Sequence, residues 1–250
     1  MSAPKPNQGK LVMATNSLGR AEDIPQRSLA ALRHSDLLVF EEDRPARQSL
    51  KAAGIHRRYL KYTEHDEHHT LKEIEDCLRK GGTVCYMSDQ GVPVLADPGQ
   101  SILQLAYRLQ SKVEVIPGPS SVTAALAACP FLTTGFLFAG FLPRDAKKRE
   151  AALKKYQRTP VPIVIMDTPY RRQAVTEAAN QVMGNDRQAL LALDISGPDE
   201  EYLYCSLREL VHLDRPKLNF VLVIAPEQPA SDHNETKRRR SPSKRPKRKP

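Results

Sequence analysis

Four short apolar runs constrain this chain more than any other feature: "KLVMAT" at 10–15, "DLLVFEED" at 36–43, "TVCYMSD" at 83–89 and "VEVIPGPSS" at 113–121. Each has strand length and ends in turn chemistry, and segments with helical spacing separate them. Ile24, Leu29 and Leu32 carry that spacing over 24–33. "RPARQSLKAAGI" is predicted as a helix stopped by Gly54. "TLKEIEDCLRKGG" is predicted as an amphipathic helix capped by Thr70, with Glu73 three residues on and Gly81 and Gly82 after its end. "GQSILQLAYRLQSK" is a further helix, and "SVTAALAAC" starts another. This alternation predicts a mostly parallel sheet with right-handed crossovers over residues 10–117.

A second block follows Pro130. "GFLFAGFLP", "TPVPIVIMDTPY", "QALLALDIS", "EEYLYCSL" and "KLNFVLVIA" read as strands, with helices at "RDAKKREAALKKYQ" and "RRQAVTEAANQVMG" and a short one near "LRELVHL". The expected architecture is α/β with two domains. The N-terminal one (10–117) carries the mostly parallel sheet and the C-terminal one (118–226) a mixed sheet, with a ligand cleft between them. Residues 1–9 and 227–250 read as a disordered lead-in and tail.

The formal net charge of +9 belongs to that tail. The last fourteen residues, "KRRRSPSKRPKRKP", hold nine Lys or Arg and no acid, leaving 29 basic residues against 29 acidic ones in the rest of the 250. A polybasic arm of this kind binds a phosphate backbone by counterion release. The alternative is a solubilising or localisation tail. The four cysteines form no C-x-x-C pair, and Cys85 and Cys129 sit in apolar stretches. Reduced, buried thiols and a reducing compartment follow. With no visible signal peptide and no apolar run near the ~20 residues of a membrane helix, the expectation is a soluble cytoplasmic protein.

Three loops, "TNSLGRAED", "SDQGVPVLADPG" and "IPGPSS", follow predicted strands and therefore project from one sheet edge. Such edges hold anions and polar cofactors. There is neither a G-x-G-x-x-G nor a P-loop pattern, so a dinucleotide or nucleoside triphosphate has no motif support. "EHDEHH" at 64–69 lacks H-E-x-x-H spacing and reads as a polar loop, so no metal is expected. Asp97-Pro98-Gly99 reads as a capped helix start, while Asp89 is open between ligand contact and turn cap. Asp23, Glu41, Glu42 and Asp43 are candidates for a general base, each equally readable as a solvated acidic turn or cap.

In shared order over residues 10–226, the chain resembles the tetrapyrrole methylase-type S-adenosylmethionine methyltransferases. The segments that carry the resemblance are "GKLVMATNSLG", "LLVFEEDR", "CYMSDQGVPVLADPG", "VEVIPGPSSVTAALAAC", "FLFAGFLPRDAKKREAAL" and "IMDTPYR". It looks closest to the branch that methylates the ribose 2′-oxygen of a small-subunit rRNA cytidine. That resemblance implies S-adenosylmethionine folded in the cleft. Asp89, Gly91, Val92 and Pro93 would lie along it, with Ser120 and Ser121 at its methionine end. Met166 and Asp167, and more loosely Asn219 and Ala225, would lie on its adenosine side. It also implies a homodimer and ribosomal RNA as partner, for which Lys237, Arg238, Arg239 and Arg240 of the tail are candidate contacts. The first loop, one residue longer than the family's, and Tyr170 in place of a His depart from the branch. A tetrapyrrole methylase and a non-catalytic paralogue that binds S-adenosylmethionine or RNA are the alternatives.

Overall fold

The computed structural model describes residues 8–63 and 66–227. The tail candidates Lys237 to Arg240 lie outside the described residues. β1 (Lys10–Ala14), β2 (Leu37–Phe40), β3 (Leu60–Lys61), β4 (Thr83–Met87) and β5 (Lys112–Ile116) form a sheet in the order β3-β2-β4-β1-β5. Every neighbouring pair is parallel. α1 (Gln26–His34) and α2 (Asp43–Ala53) cover one face, and α3 (Glu67–Arg79) and α4 (Gln100–Arg108) cover the other. Alternate residues of β1 serve the two cores. Val12 and Ala14 pack with Leu29, Leu32 and Leu50, while Leu11 and Met13 pack with Ile74, Leu78 and Ile102. Two covered faces are why these strands read as unbroken apolar runs.

α5 (Ser121–Ala127) leaves the last loop of this sheet and packs on the second one. That sheet joins β6 (Leu137–Gly140), β7 (Ile163–Asp167), β8 (Gln188–Leu193), β9 (Glu201–Ser206) and β10 (Phe220–Ile224) in the order β6-β7-β10-β8-β9. β6 and β7 are parallel and the other pairs antiparallel, giving the expected mixed sheet. Val122, Ala125 and Leu126 of α5 cover one face against Val164, Leu190 and Val223. α6 (Ala146–Tyr156), α7 (Arg172–Met183) and α8 (Leu207–Val211) cover the other. Asp145 caps α6 by accepting from the Lys148 N–H, and Ser206 and Glu209 form a capping box on α8.

Two helix starts differ from expectation. α1 begins at Gln26, because Pro25 takes the N-cap place and residues 21–23 form a separate 3-10 turn. α3 begins at Glu67, which puts Thr70 inside the helix. Its hydroxyl donates to the Lys61 carbonyl at 2.8 Å and caps nothing. His68 and His69, expected in a loop, belong to that helix. All four cysteines are free; Cys85 is fully buried, but Cys129 only half so.

Candidate functional site

Because β1, β4 and β5 run parallel, the loops that follow them leave the sheet at one edge. Their contact is specific. The Asn16 side-chain amide donates to the carbonyls of Ser88 (3.1 Å) and Asp89 (3.0 Å). The Asn16 N–H donates to the Gly91 carbonyl (2.9 Å), and the Gly91 N–H to the Ser17 carbonyl (3.1 Å). Gly91 has φ 67, and a Cβ there would stand 3.1 Å from Leu18 Cδ2 and 3.2 Å from the Pro119 carbonyl oxygen. A side chain would be strained by the backbone and crowded by two other loops.

The register of the second sheet supplies the facing wall. β10 pairs antiparallel with both neighbours, and Phe220 stands opposite Asp167 of β7 and Leu193 of β8. The end of β7, the end of β8 and the start of β10 therefore meet, bringing Met166, Asp167, Asp194 and Asn219 to one edge. The Asn219 amide reaches across to Gln90 Oε1 at 3.4 Å. Ser196, in the turn after β8, donates to Asp23 of the first domain.

Between these walls lies a cleft of about 450 Å³, lined among others by Leu18, Glu41, Asp89, Asp97, Met166 and Asn219. It is within the size of ligand pockets. A narrow pocket beside it is bounded by Gly91, Val92, Ser120, Ser121 and Met166. A larger groove of about 710 Å³ adjoins it between the first loop and α2, sharing Leu18, Pro45, Asp89 and Gln90 with the cleft.

The cleft is acidic on its first-domain side. Burial pushes Glu41 up to about 7, against a hydrogen bond from Tyr86 that pulls it down; Asp89 and Asp97 add repulsion. Burial, and then Asp89, push Asp97 up to about 6. Burial also raises Asp89, whose Oδ1 accepts the Glu42 N–H at 3.2 Å. Carboxylates held this way favour a cationic ligand, whose charge would restore their ionised forms. On the other wall burial raises Asp167. Its Oδ1 accepts the Thr168 N–H at 2.8 Å. Its buried Oδ2 has no hydrogen-bond partner, although Arg171 Nη1 stands 3.2 Å away.

The structure brings together Asp89, Gly91, Val92, Ser120, Ser121, Met166, Asp167 and Asn219 around the cleft and its side pocket. Pro93 is buried and lines neither the cleft nor its side pocket. Ala225 does not join them. Five residues of β10 separate it from the cleft edge, and its N–H donates to the Gln188 carbonyl at the opposite edge of the sheet. Ser120 occupies the N-cap place of α5, yet its hydroxyl makes no cap bond. Asp97 does not cap α4 either; Gly99 holds that place with no side-chain bond, and Asp97 faces the cleft. Of the four base candidates only Glu41 lines the cleft. Asp43 is engaged by Tyr59 and Lys61, and Asp23 by Ser196. Sequence reasoning missed Leu18, Gln90, Asp194 and Phe220. Asp194 carried a signal, an acid at a strand end like Glu41.

The model of the family described as tetrapyrrole (corrin/porphyrin) methylases matches residues 10–211. The chain belongs to this family. Among curated methylases of ribosomal RNA, it is 31% identical to the ribosomal RNA small subunit methyltransferase I of Thermotoga maritima, covering 84% of this chain and 94% of that one. It is 33% identical to the protein of that name from Leptospira borgpetersenii, covering 87% and 88%. The fold matches that of uroporphyrin-III C-methyl transferase from Thermus thermophilus complexed with S-adenyl homocysteine, at a TM-score of 0.62 and 17% identity, over 87% of this chain and 97% of that one. The expected family and its two-sheet α/β fold are both borne out. A tetrapyrrole methylase fold thus accounts for a cleft whose walls come from two sheets.

Proposed function

We propose that this tetrapyrrole methylase-family chain is an S-adenosylmethionine-dependent methyltransferase that acts on ribosomal RNA of the small subunit, at a ribose 2′-oxygen of cytidine. The observation that carries the reading is the convergence of the Gly91 loop, Ser120, Met166, Asp167 and Asn219, far apart in sequence, on one cleft. The ribosomal relatives at 31% and 33% identity support the choice of substrate.

The cleft fits the cofactor on its own chemistry. S-adenosylmethionine supplies a methyl group on a sulfonium. The ring of Glu41, Asp89 and Asp97 favours a cation, Gly91 and Val92 bound the side pocket with little side-chain bulk, and the Ser120 hydroxyl, which caps no helix, remains for a polar group. Glu41, near neutrality and on the cleft wall, is the group suited to take the proton of the attacking ribose hydroxyl. Alignment supplies the rest. Lys237 to Arg240 would add phosphate contacts without sequence choice. The reading places the protein in the cytoplasm, where its substrate is assembled. A homodimer follows from the family resemblance, with the half-exposed Tyr204 and its neighbour Phe131 (ring centroids 5.8 Å apart) as surface available for it.

Calorimetric titration with S-adenosylmethionine, beside a Gly91→Arg variant, tests the cofactor site. Binding by the wild type that the variant loses supports it, and radiolabelled methyl transfer to small ribosomal subunits then tests the substrate. A wild-type chain that binds no S-adenosylmethionine refutes the reading.

A further inference from the structure

The groove beside the cleft is larger than the cleft itself, at about 710 Å³ against about 450 Å³, and the acidic wall does not extend along it. Asn16, Ser17 and Gly19 of the first loop form one side, and Arg44, Gln48 and Lys51 of α2 form the other. Arg44, Arg47 and Lys51 are exposed and follow one another at helical spacing, so they share a face of α2. Among the described residues, neither Arg44 nor Lys51 enters an ion pair, whereas the nearby Lys61 is spent on Asp43 at 3.2 Å. Two cations outside any ion pair among the described residues therefore line a groove of mixed lining, with Ala21, Ile24 and Ala52 on its apolar part, that opens into the cleft at Leu18, Pro45, Asp89 and Gln90.

We infer that this groove seats the sugar–phosphate backbone of a single RNA strand next to the nucleotide in the cleft, with Arg44 and Lys51 on its phosphates. The inference deepens the proposed function and rests on it. The chemistry follows from the lining. Arg and Lys bind phosphate oxygens, Gln and Ser side chains bind sugar and phosphate, and no aromatic ring lines the groove for base stacking. The two cations are seven residues apart on α2, roughly 10 Å along its axis, so one strand can touch both. Asp89 closes the groove at the cleft end. An anion is thereby favoured along α2 and a cation in the cleft, which keeps the two ligands in separate compartments.

The test uses the full chain and a short fluorescent single-stranded oligoribonucleotide, with anisotropy read across a salt series. The variants are R44E/K51E, the milder R44Q/K51Q, and K154E/K155E, an equal change of charge on the exposed face of α6. S-adenosylmethionine binding is measured calorimetrically on each. The inference expects R44E/K51E to weaken RNA binding at least tenfold. For R44Q/K51Q the slope of log K against log salt should fall by about 1.4, two single-strand phosphates at ~0.7 each. S-adenosylmethionine affinity should stay within twofold in both, showing that they are folded. K154E/K155E should change RNA binding much less. RNA binding equal to wild type in R44E/K51E, equal losses in K154E/K155E, or no RNA binding by the wild type would each overturn it. Tetrapyrrole binding that needs Arg44 and Lys51 would overturn it as well. Failure of the functional reading shows separately, as a wild type that binds the oligonucleotide but not S-adenosylmethionine.

Discussion

The Tyr86 hydroxyl lies 2.6 Å from Glu41 Oε1, joining the inside of β4 to the loop after β2. The same hydroxyl is 2.9 Å from the Pro98 carbonyl, so Tyr86 ties the acid to the far end of the loop that carries Gly91. Glu41 is raised from 4.5 to about 7, so the folded protein holds a proton there that the unfolded chain has released. Stability from this group is greatest below about 4.5, falls as pH rises to about 7, and is flat above. Glu41→Gln should flatten this part of the profile. It should exceed wild-type stability above neutrality by about 1–2 kcal/mol, allowing for solvent screening of a partly exposed group. Urea unfolding over the pH range measures it. A loss of stability between 4.5 and 7 as steep in the variant as in the wild type would refute the assignment.

A cationic ligand in the cleft restores the charges of Glu41 and Asp97. S-adenosylmethionine affinity should therefore rise with pH between about 6 and about 7, with protons released on binding. Calorimetry in buffers of different ionisation enthalpy reads that release. Glu41→Gln should reduce it and slow methyl transfer by roughly 10²-fold or more, the usual contribution of a general base.

Gly91→Ala should cost about 1–2 kcal/mol of stability, from a left-handed residue with its Cβ against Leu18 and Pro119. The loss should be accompanied by weaker S-adenosylmethionine binding, because the loop cannot relax without moving the first loop as well. Unchanged affinity would mean that the cofactor does not lie along this loop.

A Cβ at Gly19 would stand 2.5 Å from the Ser196 carbonyl oxygen, a backbone atom of the other domain. Gly19→Ala should push the 194–199 turn away and separate Ser196 from Asp23. A fall in Tm of about 4–8 °C is expected, the equivalent of about 2 kcal/mol in a chain of this size. Scanning calorimetry checks it, and Ser196→Ala, which removes only the side-chain contact, should cost less.

Removing residues 237–250 takes away nine Lys or Arg. RNA binding should weaken and its salt dependence flatten, while S-adenosylmethionine binding stays the same. An unchanged salt slope would show that the tail does not touch RNA.

Much of the fold was legible because burial on both faces leaves a local signature. "KLVMAT" and "TVCYM" read as strands since neither face of β1 or β4 meets water. Gly54 stopped α2 where its spacing said it would. Thr70 misled because a hydroxyl before an apolar helical run looks like a cap, whatever carbonyl it finds on the strand that precedes the helix. Asp97 misled for a similar reason. Asp-Pro-Gly ahead of a helix has a local explanation, and only the packing of Tyr86, Glu41 and Asp89 around it reveals a half-buried acid lining the cleft.

Local sequence thus determined the elements, their alternation and the loops at the strand ends, since periodicity and turn chemistry act over a few residues. The resemblance over 10–226 pointed to the family and to most of the cleft residues. What only the tertiary structure decided was which of those residues face one another. Antiparallel pairing of β10 sets Phe220 opposite Asp167 and Asn219 against Asp194, and carries Ala225 to the far end of the same strand. Adjacency between strands is set by register across the sheet, a relation between segments dozens of residues apart that no local pattern encodes.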